Sequence, residues 1–219
     1  MTTLQSAPVA SLLARLFADA EVTTGKLREM LGSMPPEERQ RRMSDPNSDY
    51  RGFYHRMREV HLPVSPDTGK LLYMVARATR AKAIVEFGTS FGISTVHLAA
   101  ALRDNGGGRL IGSELEANKL AAARANLAEA GLADLVEIRD GDALETLARD
   151  LPDVIDVVLM DGHKPLYPRI LALVEARLRV GSVLIADNAD ASPEYLARVR
   201  GAGYVSVPFA SDVEMSIKV

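Results

Sequence analysis

The sequence predicts an α/β protein with a doubly wound, mostly parallel sheet of seven strands whose last strand is antiparallel. Three observations predict it. From residue 61 onward, short runs of consecutive apolar residues alternate with segments of helical period, the pattern of parallel strands covered on both faces by helices. Several of these runs end at or beside an acidic residue, which collects carboxylates at the carboxyl edge of the sheet, where open α/β folds bind ligands. The last two runs, 204–209 and 214–219, are joined by too few residues for a parallel crossover, so that pair is antiparallel.

Composition bounds the rest. At 219 residues, 47% of them hydrophobic and 25% charged, the chain can bury one sizeable core. A formal net charge of -3 gives no bulk electrostatic reason to bind nucleic acid. The absence of cysteine excludes disulfides, thiolate metal sites and cysteine nucleophiles. No basic-then-apolar leader opens the chain and no apolar run reaches the roughly 18 residues of a membrane span, so a cytoplasmic location with no membrane partner is expected.

Residues 1–60 read as a helical extension of the same domain, serving as a cap or a dimer contact. Leu12, Leu13, Leu16 and Phe17 predict a helix over 11–20, and Val22, Leu27 and Met30 predict a second over 21–31. Pro35-Pro36 opens a short helix at 37–42, acidic first and basic last as the helix dipole prefers. Its mixed signs make it a solvated face and not a phosphate site. Asp45 to Asp49 is a loop. Tyr50, Phe53, Tyr54 and Met57 share one face of a helix over 50–60, a face that suits core, a dimer contact or a substrate wall.

The sheet-bearing part follows. After Pro63-Val64-Ser65-Pro66, Asp67 is the expected N-cap of a helix reaching residue 79, with Leu71, Leu72 and Val75 inward. The first strand is 83–88, with a helix over 93–102. The second, 109–115, precedes an alanine-rich helix over 117–130 that Gly131 ends. A third strand at 136–139 leads to a helix over 143–149, and a fourth at 155–160 to a helix over 165–178. The fifth strand is 182–186, and 193–200 is the last helix.

Glu86-Phe-Gly88-Thr-Ser90-Phe-Gly92 lies between the first strand and its helix. A pyrophosphate turn has G-x-G-x-x-G, whereas this loop has two glycines four apart and an acid at the strand end, which suits a ligand with a positive charge. Glu114 ends the second strand, where such folds place the acid that binds ribose hydroxyls. Singly, Glu86 reads as a strand-end cap and Glu114 as a surface acid. Together, in register within one βαβ unit, they point to an adenosine ligand with a cationic tail.

Asp161 ends the fourth strand and Asp187-Asn188 the fifth, so all three reach one edge. Oxygen ligands alone suit a hard cation such as Mg²⁺, with Mn²⁺ or Ca²⁺ as competitors. The same residues also suit helix capping or substrate binding. Neighbours on a regular strand face opposite sides, so Asp187 and Asn188 can share a cation only if the chain leaves strand geometry there. Lys164 precedes Pro165, which biases it toward extended backbone and suits a helix start.

In order, E-F-G-T-S-F-G-I-S, S-E-L, G-D-A, L-M-D-G-H-K-P-L-Y and A-D-N resemble the motifs of the S-adenosylmethionine-dependent, cation-dependent O-methyltransferases of the catechol type. The resemblance runs from about Val64 to the C-terminus. It implies a Rossmann-like class I methyltransferase domain over 61–219, S-adenosyl-L-methionine as donor, a divalent cation (Mg²⁺ expected), a small hydroxylated acceptor and a homodimer. It implies that the Val64 backbone and the Ser94 hydroxyl hold the methionine carboxylate, with Gly88 beside the ammonium and Glu86 in the same motif. Glu114 would take the ribose hydroxyls, with Leu115 against the adenine and Gly141, Asp142 and Ala143 along its edge. His163 stands where the family usually has an aromatic near that ring; it either tunes cofactor affinity or is a half-exposed loop histidine. Asp161, beside the cofactor, would ligate the metal with Asp187 and Asn188.

The matching lysine, Lys164, would be the general base. A free lysine titrates near ~10.4, so a nearby cation and partial burial are expected to lower it. A cation also lowers the pKa of a hydroxyl bound to it. The transfer then needs mostly alignment, a proximity effect of roughly 7 to 11 kcal/mol in ideal cases. The match fails after Asn188, where the loop is short, and at Gly162, where a bulkier residue is common. Both departures predict a more open pocket and a larger acceptor, closed by Tyr50, Phe53 and Tyr54. Three rivals remain at this point: a tRNA hydroxyuridine methyltransferase of the same family, disfavoured by the net charge; a non-catalytic S-adenosylmethionine-binding subunit; and a nicotinamide dehydrogenase, disfavoured by the loop spacing.

Overall fold

The structure is a computed structural model and describes residues 1–38, 41, 45, 47–210 and 212–219. One sheet of seven strands runs through it in the order β3-β2-β1-β4-β5-β7-β6. The strands are β1 (Ala83–Phe87), β2 (Arg109–Glu114), β3 (Val136–Asp140), β4 (Ile155–Met160), β5 (Leu178–Ala186), β6 (Tyr204–Phe209) and β7 (Val213–Lys218). β7 is antiparallel to both neighbours and every other pairing is parallel, as expected. The chain winds from β1 outward through β2 and β3, then returns to β4 on the other side. That reversal opens a crevice beyond the carboxyl ends of β1 and β4.

Alternate strand residues enter opposite cores. Ile84, Leu110, Val157 and Ile185 pack with helices α1 (Ala7–Ser33), α3 (Pro66–Ala78), α4 (Ile93–Asp104) and α5 (Ala117–Glu129). Val85, Ile111, Val158 and Leu184 pack with α6 (Ala143–Thr146), α7 (Tyr167–Val174) and α8 (Pro193–Val199). A short helix, α2 (Tyr50–Arg56), caps the crevice from outside the sheet. No helix among the described residues is long and apolar enough to cross a membrane.

Several boundaries differ from expectation. The two helices over 11–20 and 21–31 are one helix of 27 residues. No proline or cap interrupts 20–21, and the shift in apolar stripe reflects a change of partner: Val9, Leu12, Leu13 and Leu16 join the core, whereas Leu27, Leu31 and the following Met34 face a cavity. The short helix at 37–42 runs into residues outside those described. α2 ends at Arg56 and does not reach residue 60. Ser65, not Asp67, caps α3, accepting from Thr68 N at 3.0 Å with Pro66 in the first turn. α6 stops at Thr146 because Arg139 takes the carbonyls of Thr146, Arg149 and Asp150 at 2.6, 2.6 and 2.9 Å. The helix over 165–178 is a 3₁₀ turn (Lys164–Leu166), then α7, then another 3₁₀ turn; β5 already begins at Leu178, opposite Ile155, before a shift in register.

Candidate active site

The loop after β1 is shaped by backbone crowding. Gly88 has φ +97°, and a Cβ there would lie 2.6 Å from the Asp161 carbonyl oxygen. Gly88→Ala is therefore expected to cost about 2 kcal/mol or more in urea unfolding and to weaken S-adenosylhomocysteine binding, because the Asp161 backbone must move. Unchanged stability and affinity would refute that account.

Glu86 lies under this loop and not in the crevice. It is fully buried and accepts from Thr89, Ser94 and Thr95 hydroxyls at 3.0, 2.7 and 2.6 Å. Burial pushes its pKa up, against these three donors. Its oxygens take part in folding the loop that borders the crevices. Ser94 still borders a small crevice with Val64 and Gly88, but its hydroxyl is donated to Glu86.

Glu114, Leu115, Gly141, Asp142, Ala143, Asp161, His163 and Gly88 line one crevice, so the structure brings together most of the residues singled out for the nucleoside. The Glu114 carboxylate accepts from Ser90 N at 2.6 Å and Glu116 N at 2.9 Å. Burial raises its pKa, opposed by the Glu116 amide and by Lys119. Asp142 has other duties than lining: it caps Leu144 N at 2.9 Å and takes Arg51 at 2.7 and 3.0 Å together with the Tyr50 hydroxyl. Those bonds fasten α2 over the crevice. His163 is buried, not half-exposed, stacks on Tyr50 at 5.2 Å and meets Tyr54 edge-on at 5.9 Å. A ring nitrogen bonds the Asp45 backbone, Nε2 has no partner among the described residues, and burial beside Lys164 brings its pKa down to about 4.

At the edge of β4 and β5 the acids converge. Lys164 Nζ donates to Asp161 Oδ1 at 3.1 Å, with both side chains largely buried. The Tyr167 hydroxyl donates to the carbonyls of Met160 and Asp187 at 2.7 and 2.8 Å, tying the two strand ends together. Asn188 has φ +48°, so the chain does leave strand geometry there, and its amide donates to Asp212 at 3.0 Å. Burial and the facing Asp187 push Asp161 up to about 8 against the pull of Lys164, and burial also raises Asp187.

The lowering expected of Lys164 rested on a nearby cation together with partial burial, and burial acts in that direction. Burial disfavours its charge, but Tyr167, Asp161, Tyr54 and Asp187 outweigh burial and hold its pKa well above that of an ordinary lysine. Among the described residues no three of His, Cys, Asp and Glu are grouped as a metal site. The candidate donor set is two carboxylates and one amide. Burial and neighbouring like charges raise the pKa values of these two carboxylates, and a hard divalent cation would relieve that repulsion.

Sequence reasoning missed Lys119 and Tyr167. Lys119 is 2% exposed, borders the crevice, and sits 5.5 Å above the Phe91 ring. Burial lowers its pKa and Glu114 opposes that. Its position in the first turn of the helix after Glu114 was the available signal.

A family model described as a methyltransferase domain matches residues 85–189. Catechol O-methyltransferase B of Danio rerio is 33% identical over 181 residues, 78% of this chain and 68% of that protein. Catechol O-methyltransferase of Niastella koreensis is 36% identical over 130 residues, 58% of each. That of Mycobacterium tuberculosis is 32% identical over 66% of this chain and 61% of its own length, so the chain spans about three fifths of these last two relatives. Among solved structures, the O-methyltransferase TomG from Streptomyces achromogenes, involved in tomaymycin synthesis and in complex with SAM, superposes with TM-score 0.64 at 28% identity, covering 80% of this chain and 90% of that one. An O-methyltransferase from Bacillus cereus in complex with SAH has TM-score 0.67 at 20% identity over 93% and 99% of the two chains, a likeness of fold.

Proposed function

The chain belongs to the S-adenosylmethionine-dependent O-methyltransferases of the catechol type, and from that premise we propose that it methylates a hydroxyl of a vicinally oxygenated small molecule, with Lys164 as base and Mg²⁺ held by Asp161, Asp187 and Asn188. One observation carries this reading. Asp161 borders both the nucleoside crevice and a separate cavity that also holds Lys164, Asp187 and Asn188, so a donor in one and an acceptor in the other would meet at its side chain.

The chain's own groups divide the work. Glu114 accepts the ribose hydroxyls, while Tyr50, Tyr54 and His163 shield the space between the two ligands from water. A divalent cation at the carboxylates would lower the pKa of an acceptor hydroxyl and fix its direction. Burial favours the neutral amine at Lys164, while Tyr167, Asp161, Tyr54 and Asp187 oppose it; a cation held by Asp161 and Asp187 would remove part of that opposition. Lys164 Nζ then takes the hydroxyl proton. The oxygen forms its bond to the methyl carbon as the carbon–sulfur bond breaks, and the electron pair stays on sulfur. Alignment of oxygen, methyl carbon and sulfur contributes through proximity.

The test is methyl transfer from labelled S-adenosylmethionine to a panel of catechols, with Mg²⁺ and with a chelator. Turnover that the chelator abolishes and added Mg²⁺ restores is the expected result. Turnover that survives chelation would remove the cation from the reading, and none in either condition would refute the activity.

A further inference from the structure

The cavity in front of Lys164 is far larger than a single ring. Its volume is about 630 Å³. At roughly 30 Å³ per water-sized group, that is room for on the order of 20 heavy atoms, shared between the acceptor, a cation at the carboxylates and the donor's methionine end beside Val64. The two ends differ in chemistry. Asp161, Lys164, Asp187 and Asn188 make one end polar; Phe17, Leu27, Leu31, Met34, Phe53 and Met57 make the other apolar.

The apolar end is made by a part of α1 that does little for the core. Beyond Ala20 the helix contributes only Thr23 to its buried residues, while Leu27, Leu31 and Met34 stay half-buried around the cavity. Among the described residues lining the cavity, Lys164 is the only lysine or arginine, and Glu21 stands on the α1 side. Among the described lining residues, a phosphate or carboxylate tail at the apolar end would meet no lysine or arginine. An uncharged apolar tail would cover side chains that otherwise face water.

We propose that the natural acceptor is an amphiphile: a vicinally hydroxylated head at Asp161 and Lys164, and an uncharged apolar substituent of several carbons lying along α1. The choice of head group rests on the methyl transfer proposed above. The tail rests on the cavity alone: the apolar end opens directly onto the polar one, so a substituent carried by the reacting head can reach it.

The experiment is a series of 4-alkylcatechols of increasing chain length, assayed for KM and titrated calorimetrically into protein saturated with S-adenosylhomocysteine. On the unmodified protein KM and Kd should fall by about two- to fourfold per methylene until the apolar end is full. That gradient should flatten in Leu31→Glu and, as an independent variant, in Leu27→Glu, each checked for an unchanged melting temperature. Constants that stay flat or rise with chain length would overturn the proposal, as would an undiminished gradient in both variants. If no catechol turns over, the methyl transfer falls and calorimetry alone decides the tail. Conversion of a dimer to a monomer by both variants, with no chain-length gradient, would assign the surface to a second copy and refute the proposal.

Discussion

Lys164→Met is expected to lower kcat by about 10²- to 10⁴-fold, the usual contribution of a positioned general base, with little change in S-adenosylhomocysteine affinity. The separation follows from where the side chain lies. Lys164 borders the acceptor cavity with Asp187 and Asn188, and it does not border the nucleoside crevice, although its ion-pair partner Asp161 borders both. Methionine keeps the buried stem and removes the proton acceptor. Lys164→Arg should not rescue turnover, since a guanidinium keeps its proton. Breaking a buried pair also costs stability, so rates must be scaled to folded protein. That cost is moderated because Asp161 can take up a proton: burial already raises its pKa to about 8. A fall in kcat below about tenfold would make Lys164 a structural cation and place the base elsewhere.

What could be read in the sequence was what local pattern determines. The run 83–87 reads as a doubly covered strand because the successive residues Ile84 and Val85 are both apolar, and they do enter opposite cores. The edge address of Glu114, Asp161 and Asp187 followed from their place at strand ends. What could not be read was which donor each carboxylate meets, since those pairings cross long stretches of chain. Asp142 is held by Tyr50 and Arg51, 92 and 91 residues away. Ser94 turns to Glu86 because a fully buried carboxylate needs donors more than the crevice does. The protonation of Lys164 is a balance of burial against Tyr167, Asp161, Tyr54 and Asp187, and no spacing rule carries such a balance. Lys119 was passed over because lysine is seldom buried, and only the Phe91 ring and the nearby acids give it a place.

Glu114→Gln is expected to weaken S-adenosylhomocysteine binding by about 10- to 100-fold, the loss that follows when hydrogen bonds to a charged acceptor, each about 1.5 to 3 kcal/mol, become neutral ones. Two routes lead to that loss. The carboxylate accepts from Ser90 N at 2.6 Å and from Glu116 N at 2.9 Å, so an amide NH₂ in place of one oxygen would face a backbone donor and disturb the loop. The other route is direct, through ribose hydroxyls at the remaining lone pairs. A 2′-deoxy analogue of the ligand separates them. If Glu114 meets the ribose, removing the hydroxyl and the carboxylate together should cost clearly less than the two separate losses added. Strict additivity would leave Glu114 as a holder of the Ser90 loop only. The pH dependence gives a second readout. Burial raises the Glu114 pKa, so its ionised form, the better acceptor, is lost on acidification at a higher pH than for an exposed glutamate. Affinity should therefore decline as pH falls through that raised value, and Glu114→Gln should remove that part of the decline while leaving the weakened baseline.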